Sequence, residues 1–171
     1  MMNGILYIEK FIENPNELFE RLQDYVIWDT RMNARKTASF GKAYNYSQIE
    51  YPYQDLLPEI NLIITKLEPI VGFKPNNCLI NYYENGKSKM GFHSDQIDIL
   101  ESNTGIAILS IGTTRLLTFK NIENREKILN YELTNGSLIY MTQEIQKEWQ
   151  HAIPKTETEN GRMSLTFRKL K

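Results

Sequence analysis

The chain contains two histidines, His93 and His151, and the first of them opens the triplet His93-Ser94-Asp95. Neutral imidazole and carboxylate together suit a divalent ion of the iron type. Two histidines and one carboxylate on one face of an octahedron leave three positions open for substrate and oxygen. Two residues apart on an extended segment, His93 and Asp95 point to the same side, so both reach one ion. His151 must then arrive from a strand much farther along the chain. The competing reading is ordinary: a single histidine is more often exposed or satisfied by a core hydrogen bond. A second signal comes from Arg162 and Arg168, which lie six apart on a segment of strand character, so that even spacing puts both on one face. A guanidinium grips a carboxylate through a planar fork that lysine lacks, so two of them beside a metal point to an acidic cosubstrate.

The elements that must carry these groups change character near residue 70. Before it, Asn14 stands as a helix cap with Pro15 at the first helical position and Glu17 three residues after the cap. Leu18, Phe19, Leu22, Tyr25 and Val26 follow at helical spacing. A second helix is expected from Pro58, with Ile60, Ile63, Ile64 and Leu67 on one stripe and Pro69 near its end. After residue 70 the apolar runs shorten: 78–83, 106–111, 116–119, 128–133, 137–141 and 163–167, which suits strands. Asn-Gly pairs begin at 85, 135 and 160, each beside such a run, and supply the positive φ of tight hairpin turns. Two helices followed by six or more short strands predict an α+β, mainly β chain: a sandwich or jelly roll backed by two N-terminal helices.

Several quoted segments together are more specific. Asn81-Tyr82-Tyr83, Gly86, Gly91-Phe92-His93-Ser94-Asp95, the run 106–112, Asn135-Gly136-Ser137-Leu138, the segment 149–154 from Trp149 to Pro154, and the segment 162–168 from Arg162 to Arg168 occur in one order. Over roughly residues 35 to 169 the sequence resembles the AlkB-type Fe(II) and 2-oxoglutarate-dependent dioxygenases, in their nucleic-acid demethylase branch. The resemblance implies a double-stranded β-helix with His93, Asp95 and His151 as iron ligands. It also implies that Arg162 and Arg168 grip the carboxylates of 2-oxoglutarate, with Asn81, Tyr83 and Ser164 beside it. Ser164 stands where the family usually has asparagine, and Ile97 where DNA-directed members often carry an acid, so Asp98 is the candidate for meeting a base edge. The segments 35–41 and 44–47 resemble the family's nucleotide-recognition lid. Tyr46 is the candidate stacking face, with Tyr44 and Phe40 near it and Arg35 on the same lid; plain packing is the competing reading of these aromatics.

On this reading residues 1–171 are one dioxygenase domain, with helices and lid in 1–70 and the jelly-roll core in 71–171. The expected reaction is oxidative demethylation of N-alkylated bases in DNA or RNA, consuming Fe(II)-bound O2 and 2-oxoglutarate and releasing formaldehyde, succinate and CO2. A hydroxylase or demethylase of a protein side chain or small molecule is the alternative, motivated by Ile97 and by charge, and a binding module without turnover is the third.

Twenty basic and twenty-one acidic side chains give a net charge of -1, so a nucleic acid must be held by a local patch. Residues 29–48 carry net +3 and residues 155–171 net +3, around a middle, 50–101, of net -4. That allows few phosphate contacts, and so single-stranded or short substrates. The lone Cys78 forms no internal disulfide and fits a reducing compartment. No apolar run approaches a membrane span. A cytoplasmic monomer, or a nuclear one in a eukaryote, is expected. The phosphate-loop look of 81–88, which ends in Gly86-Lys87-Ser88, fails because position 81 is asparagine rather than glycine.

Overall fold

The computed structural model describes residues 2–171. Both N-terminal helices, α1 (Pro15–Tyr25) and α2 (Pro58–Val71), begin on a proline. Its fixed φ suits the first helical turn, and its missing N–H is one that a helix start leaves unbonded anyway. Asn14 occupies the expected cap position, but its side chain makes no capping hydrogen bond; its backbone carbonyl accepts the N–H of Leu18 at 3.2 Å instead. The predicted stripe of Ile60, Ile63, Ile64 and Leu67 is the buried face of α2. The helix ends on Gly72 at φ 83°, the left-handed conformation glycine takes without strain.

The strands form two main antiparallel sheets. The larger has the order β1 (Ile5–Ile8), β10 (Ser137–Met141), β7 (Ile106–Gly112), β12 (Arg162–Arg168), β5 (Asn77–Tyr83) and β2 (Lys36–Gly41). The smaller has β6 (Met90–His93), β11 (Trp149–Ile153), β8 (Arg115–Asn121) and β9 (Ile128–Leu133). A short hairpin, β3 (Tyr44–Tyr46) and β4 (Ile49–Tyr51), stands apart, and α3 (Gln143–Glu148) precedes β11. From β5 onward the chain passes repeatedly from one sheet to the other, the winding of a jelly roll.

That winding corrects the expectation for the Asn-Gly pairs. They do not close two-strand hairpins: Asn85-Gly86 links β5 to β6, Asn135-Gly136 links β9 to β10, and Asn160-Gly161 links β11 to β12, each time between sheets. Gly136 does take a positive φ, 88°. Gly86 is required for closeness instead, since a Cβ there would lie 1.8 Å from the backbone oxygen of Thr156. The tight turn with two positive φ values is Ser47-Gln48, at 50° and 63°, between β3 and β4. Its signal lacks glycine, which is why the pattern missed it.

Three layers follow from alternation along the strands. On β12, Met163, Leu165 and Phe167 face the helices and pack with Leu22, Ile60, Ile64 and Leu67. On β5, Cys78 and Ile80 join that layer, while Leu79 and Tyr83 turn inward to a second core with Leu117, Phe119, Leu133 and Ile153 of the smaller sheet. The period of two therefore sends the remaining residues of β12, Arg162, Ser164, Thr166 and Arg168, into the space between the sheets.

Candidate metal centre and its arginine pocket

β6 and β11 pair so that His151 lies directly opposite His93. The two imidazoles face each other with ring centroids 4.4 Å apart. Asp95 does not sit on β6, as its spacing suggested; the strand ends at His93 and Asp95 lies on the loop that follows. Its carboxylate nevertheless comes back between the rings, 3.3 Å from His93 Nε2 and 3.8 Å from His151 Nε2. One ligand atom from each of the three residues lies within 4.8 Å of the others. Such a group can hold one metal ion.

The ring nitrogens are set for that role. His93 Nδ1 lies 2.8 Å from the carbonyl oxygen of Gly91, and a carbonyl only accepts, so Nδ1 carries a proton and Nε2 is the nitrogen turned to the centre. Burial lowers the His93 pKa, but the Nε2 hydrogen bond to Asp95 and the Asp95 charge raise it on balance, so a metal ion would displace the Nε2 proton. Burial holds His151 mostly neutral: its pKa falls to about 4, with the Asp95 charge opposing and the His93 and Arg168 charges adding to the fall. Burial by itself would raise the Asp95 carboxyl, but the His93 hydrogen bond and the charges of His151 and Arg168 outweigh it and hold it well below the usual carboxylate range. A deprotonated carboxylate and a neutral imidazole are the forms that bind metal.

The arginines lie on the same cavity. Arg168 Nη2 is 3.7 Å from Asp95 Oδ2, and its guanidinium lies 5.0 Å from the Tyr44 ring. Arg162 donates from Nη2 to Ser110 Oγ at 2.8 Å and covers the Tyr83 ring at 5.1 Å. Both side chains are almost fully buried, yet Nε and Nη1 of each find no partner among the described residues. Buried guanidinium donors without acceptors are costly, and an acidic ligand with two carboxylates matches what these two offer. The donor set therefore fits 2-oxoglutarate, and the nitrogen and oxygen ligand set fits Fe(II). Among the described residues, Asn81, Tyr83, Ser164 and Tyr46 line the same cavity.

The lid residues divide. Tyr46 lines the cavity and stacks at 6.2 Å and 19° on Tyr44, whose own ring is buried. Arg35 is not a rim cation: it is buried, donates to Asn81 Oδ1 at 2.9 Å and to the Lys89 carbonyl at 2.9 Å, and holds the Tyr46 hydroxyl. It braces the lid rather than meeting phosphate. Phe40 is 4% exposed in the helix-facing core, because its place on β2 turns it away from the cavity. Asp98 sits exposed on a turn lining a separate surface cleft with Lys42 and Tyr44, so it does not stand over the metal ligands. Sequence reasoning missed Thr166, whose even spacing between the arginines marks it as a lining residue, and the apolar wall of Met90, Ile108, Leu117, Leu133 and Ile153. It also missed Arg115, buried on β8, which ties the carbonyls of Ser88 and Pro154 at 2.8 and 2.7 Å and lies 5.5 Å from the Tyr83 ring. No local pattern around Arg115 announces that role.

Comparison with known proteins covers most of the chain. The chain is 36% identical over 115 residues, 66% of its length, to an uncharacterized protein R406 of Acanthamoeba polyphaga mimivirus, covering 59% of that protein. It is 31% identical to the alpha-ketoglutarate-dependent dioxygenase alkB homolog 3 of Rattus norvegicus, over 92% of this chain and 60% of the relative. Against the human DNA oxidative demethylase ALKBH2 the identity is 28%, over 95% of this chain and 66% of the relative. The chain thus spans about three fifths to two thirds of the length of these curated relatives. The solved structure of OsALKBH1 superposes with a TM-score of 0.74 at 15% identity, covering 99% of both chains, which shows a shared fold. Residues 10–168 match the 2OG-Fe(II) oxygenase superfamily, and the chain belongs to that family of dioxygenases, whose working groups are Fe(II), 2-oxoglutarate and O2.

Proposed function

We propose that the chain removes methyl or other alkyl groups from nitrogen atoms of nucleic-acid bases by oxidation. The observation that carries this reading is the convergence, in one cavity, of the His93, Asp95 and His151 ligand atoms with two buried arginines and the Tyr46 ring. In this reading His93, Asp95 and His151 hold Fe(II), and Arg162 and Arg168 bind the two carboxylates of 2-oxoglutarate. The bound groups supply the oxidation: O2 and 2-oxoglutarate become succinate and CO2 while one oxygen atom enters a C–H bond of the N-alkyl group. A hydroxymethyl group on nitrogen then separates into formaldehyde and the restored base.

The chain's own residues orient and exclude. Arg168, beside Asp95, fixes one end of the cosubstrate near the metal, and Arg162, six residues along the same face, receives the other. Asn81 spends its Oδ1 on Arg35, so its amide nitrogen is the group left to contact the cosubstrate. Leu117, Leu133 and Ile153 keep water from the back of the cavity. Tyr46, braced by Arg35, supplies a flat face for a base, and stacking on such a face contributes about 1–3 kcal/mol. An alkylated base pairs weakly and is cheaper to turn out of a helix. The name of the ALKBH2 relative, a DNA oxidative demethylase, supports this substrate class, and that of the alkB homolog 3 relative supports the use of 2-oxoglutarate.

A second reading, hydroxylation of a protein side chain or small molecule, is favoured by one observation: Phe40 and Asp98 do not face the cavity, which leaves fewer groups to read a base. Incubation with methylated single- and double-stranded oligonucleotides, with and without iron, separates the two. Formaldehyde release that requires both Fe(II) and 2-oxoglutarate supports demethylation. Succinate formed with another substrate, and no formaldehyde from any oligonucleotide, supports the second reading.

A further inference from the structure

Asp95 is the one member of the three-residue centre that no strand holds. β6 stops at His93, so the backbone N–H of Asp95 has no ladder partner, and the loop runs to residue 105 before β7 begins. A short helix takes over the task. The side-chain oxygen of Gln146 on α3 accepts the Asp95 N–H at 2.8 Å, and Gln146 is 4% exposed. Because a backbone N–H only donates, the amide orientation is fixed, with the Gln146 nitrogen turned to Met141 Sδ at 3.7 Å. One turn earlier on the same helix, Gln143 donates from Nε2 to the carbonyls of Glu101 and Thr104 at 3.0 and 2.7 Å. α3 therefore grips the ligand loop at both ends. The helix continues without a break into β11, which carries His151, and Ser94 Oγ donates to the Trp149 carbonyl at 2.9 Å across the same corner.

We infer that Gln146 is a positioning residue for the metal centre: by holding the Asp95 backbone from α3, it sets the Asp95 carboxylate in register with the His151 imidazole on the strand that α3 begins. The inference rests on the reading of His93, Asp95 and His151 as metal ligands. Groups that orient ligands typically change metal affinity by roughly 10–100-fold when removed. Gln143 acts at the far end of the loop and has a smaller effect.

Calorimetric titration of the metal-free protein with Mn(II), beside thermal melting without metal, tests this. Gln146→Leu removes the acceptor; Gln146→Glu keeps an oxygen for the Asp95 N–H; Gln143→Leu frees the far end; Ile145→Ala creates a cavity beside α3 while leaving the α3 hydrogen bonds to the loop in place. The expected result is an affinity about tenfold or more weaker in Gln146→Leu. Gln146→Glu is expected closer to wild type, with a small loss in Gln143→Leu, and Ile145→Ala a lower melting temperature with wild-type affinity. Wild-type Mn(II) affinity in Gln146→Leu overturns the inference. So does an equal affinity loss in Ile145→Ala, which would make α3 merely structural. Should Gln146→Leu not fold, Gln146→Glu and Gln143→Leu decide: a Gln146→Glu protein as stable as wild type that binds Mn(II) no better than Gln143→Leu overturns it. Absence of Mn(II) binding by the wild type would instead bring down the underlying metal-site reading, and this inference with it.

Discussion

Several side chains of the site are ones that burial makes expensive unless they are used. Arg162 and Arg168 are nearly inaccessible and keep donors without protein acceptors. Replacing Arg168 with lysine turns a forked grip into a point contact, and we expect the KM for 2-oxoglutarate to rise about tenfold, equivalent to ~1.4 kcal/mol, with a smaller change in kcat. Steady-state succinate production at varied 2-oxoglutarate checks it, and an unchanged KM would remove Arg168 from the cosubstrate. His93 is half-buried on a strand end, and its loss leaves both apolar cores intact. His93→Ala should therefore melt within a few degrees of wild type. Its turnover should fall by more than the roughly 10–100-fold that loss of a merely supporting group costs. Most of this was legible in the sequence because residue type and even spacing suffice to place Arg162, Ser164 and Arg168 on one face. Phe40 and Arg35 were misread because a lid-like segment does not reveal which side chains its strand turns inward: β2 sends Phe40 to the helices and folds Arg35 under Tyr46.

Among the elements, the short runs of the second half were legible almost to the residue: β5 and β7, buried on both faces, show as near-continuous apolar stretches, and β12 as apolar residues alternating with the polar ones that enter the cavity. β6 and α3 were not. β6 has mixed polarity and only four residues, and α3 is a single short helix with one buried apolar residue, Ile145, so no apolar stripe announces it. The turn chemistry was also misassigned, because an Asn-Gly pair reports backbone freedom and not which strands it joins. Arg115 is the strut of one such crossing. It binds the carbonyls of Ser88 and Pro154 and lies near that of Asn85, fastening the β5–β6 link to the end of β11. Arg115→Met leaves those carbonyls without their charged donor, and hydrogen bonds to charged groups contribute roughly 1.5–3 kcal/mol each, so a loss of about 3 kcal/mol is expected. Urea denaturation measures it; a stability within 0.5 kcal/mol of wild type, roughly the spread of neutral surface changes, would show that the strut carries no load.

For the molecule as a whole, charge limits how a polyanion is held. The net charge is -1, and the basic lid is already engaged: Arg31 pairs with Asp29, Lys36 with Glu84 at 3.2 Å, and Arg35 is buried. Of the four cations in residues 29–48, Lys42 alone is neither buried nor paired with a side-chain carboxylate among the described residues. The logarithm of affinity for a single-stranded oligonucleotide should fall with the logarithm of salt at a slope no steeper than about -2, as expected for some three neutralised phosphates. Fluorescence anisotropy between low and physiological salt gives that slope, and a much steeper one would mean a phosphate track outside residues 29–48. No helix among the described residues is long and apolar enough to cross a membrane. In the proposed enzyme one ion and one dicarboxylate share the space between the two sheets. A crystal structure of the protein grown without oxygen, with Mn(II) and 2-oxoglutarate, measures this most directly. The expected result is an ion bound by His93 Nε2, the Asp95 carboxylate and His151 Nε2, with the cosubstrate's carboxylates on Arg168 and Arg162. An ion seated away from those three residues, or a cosubstrate that leaves both arginines unpaired, would contradict it.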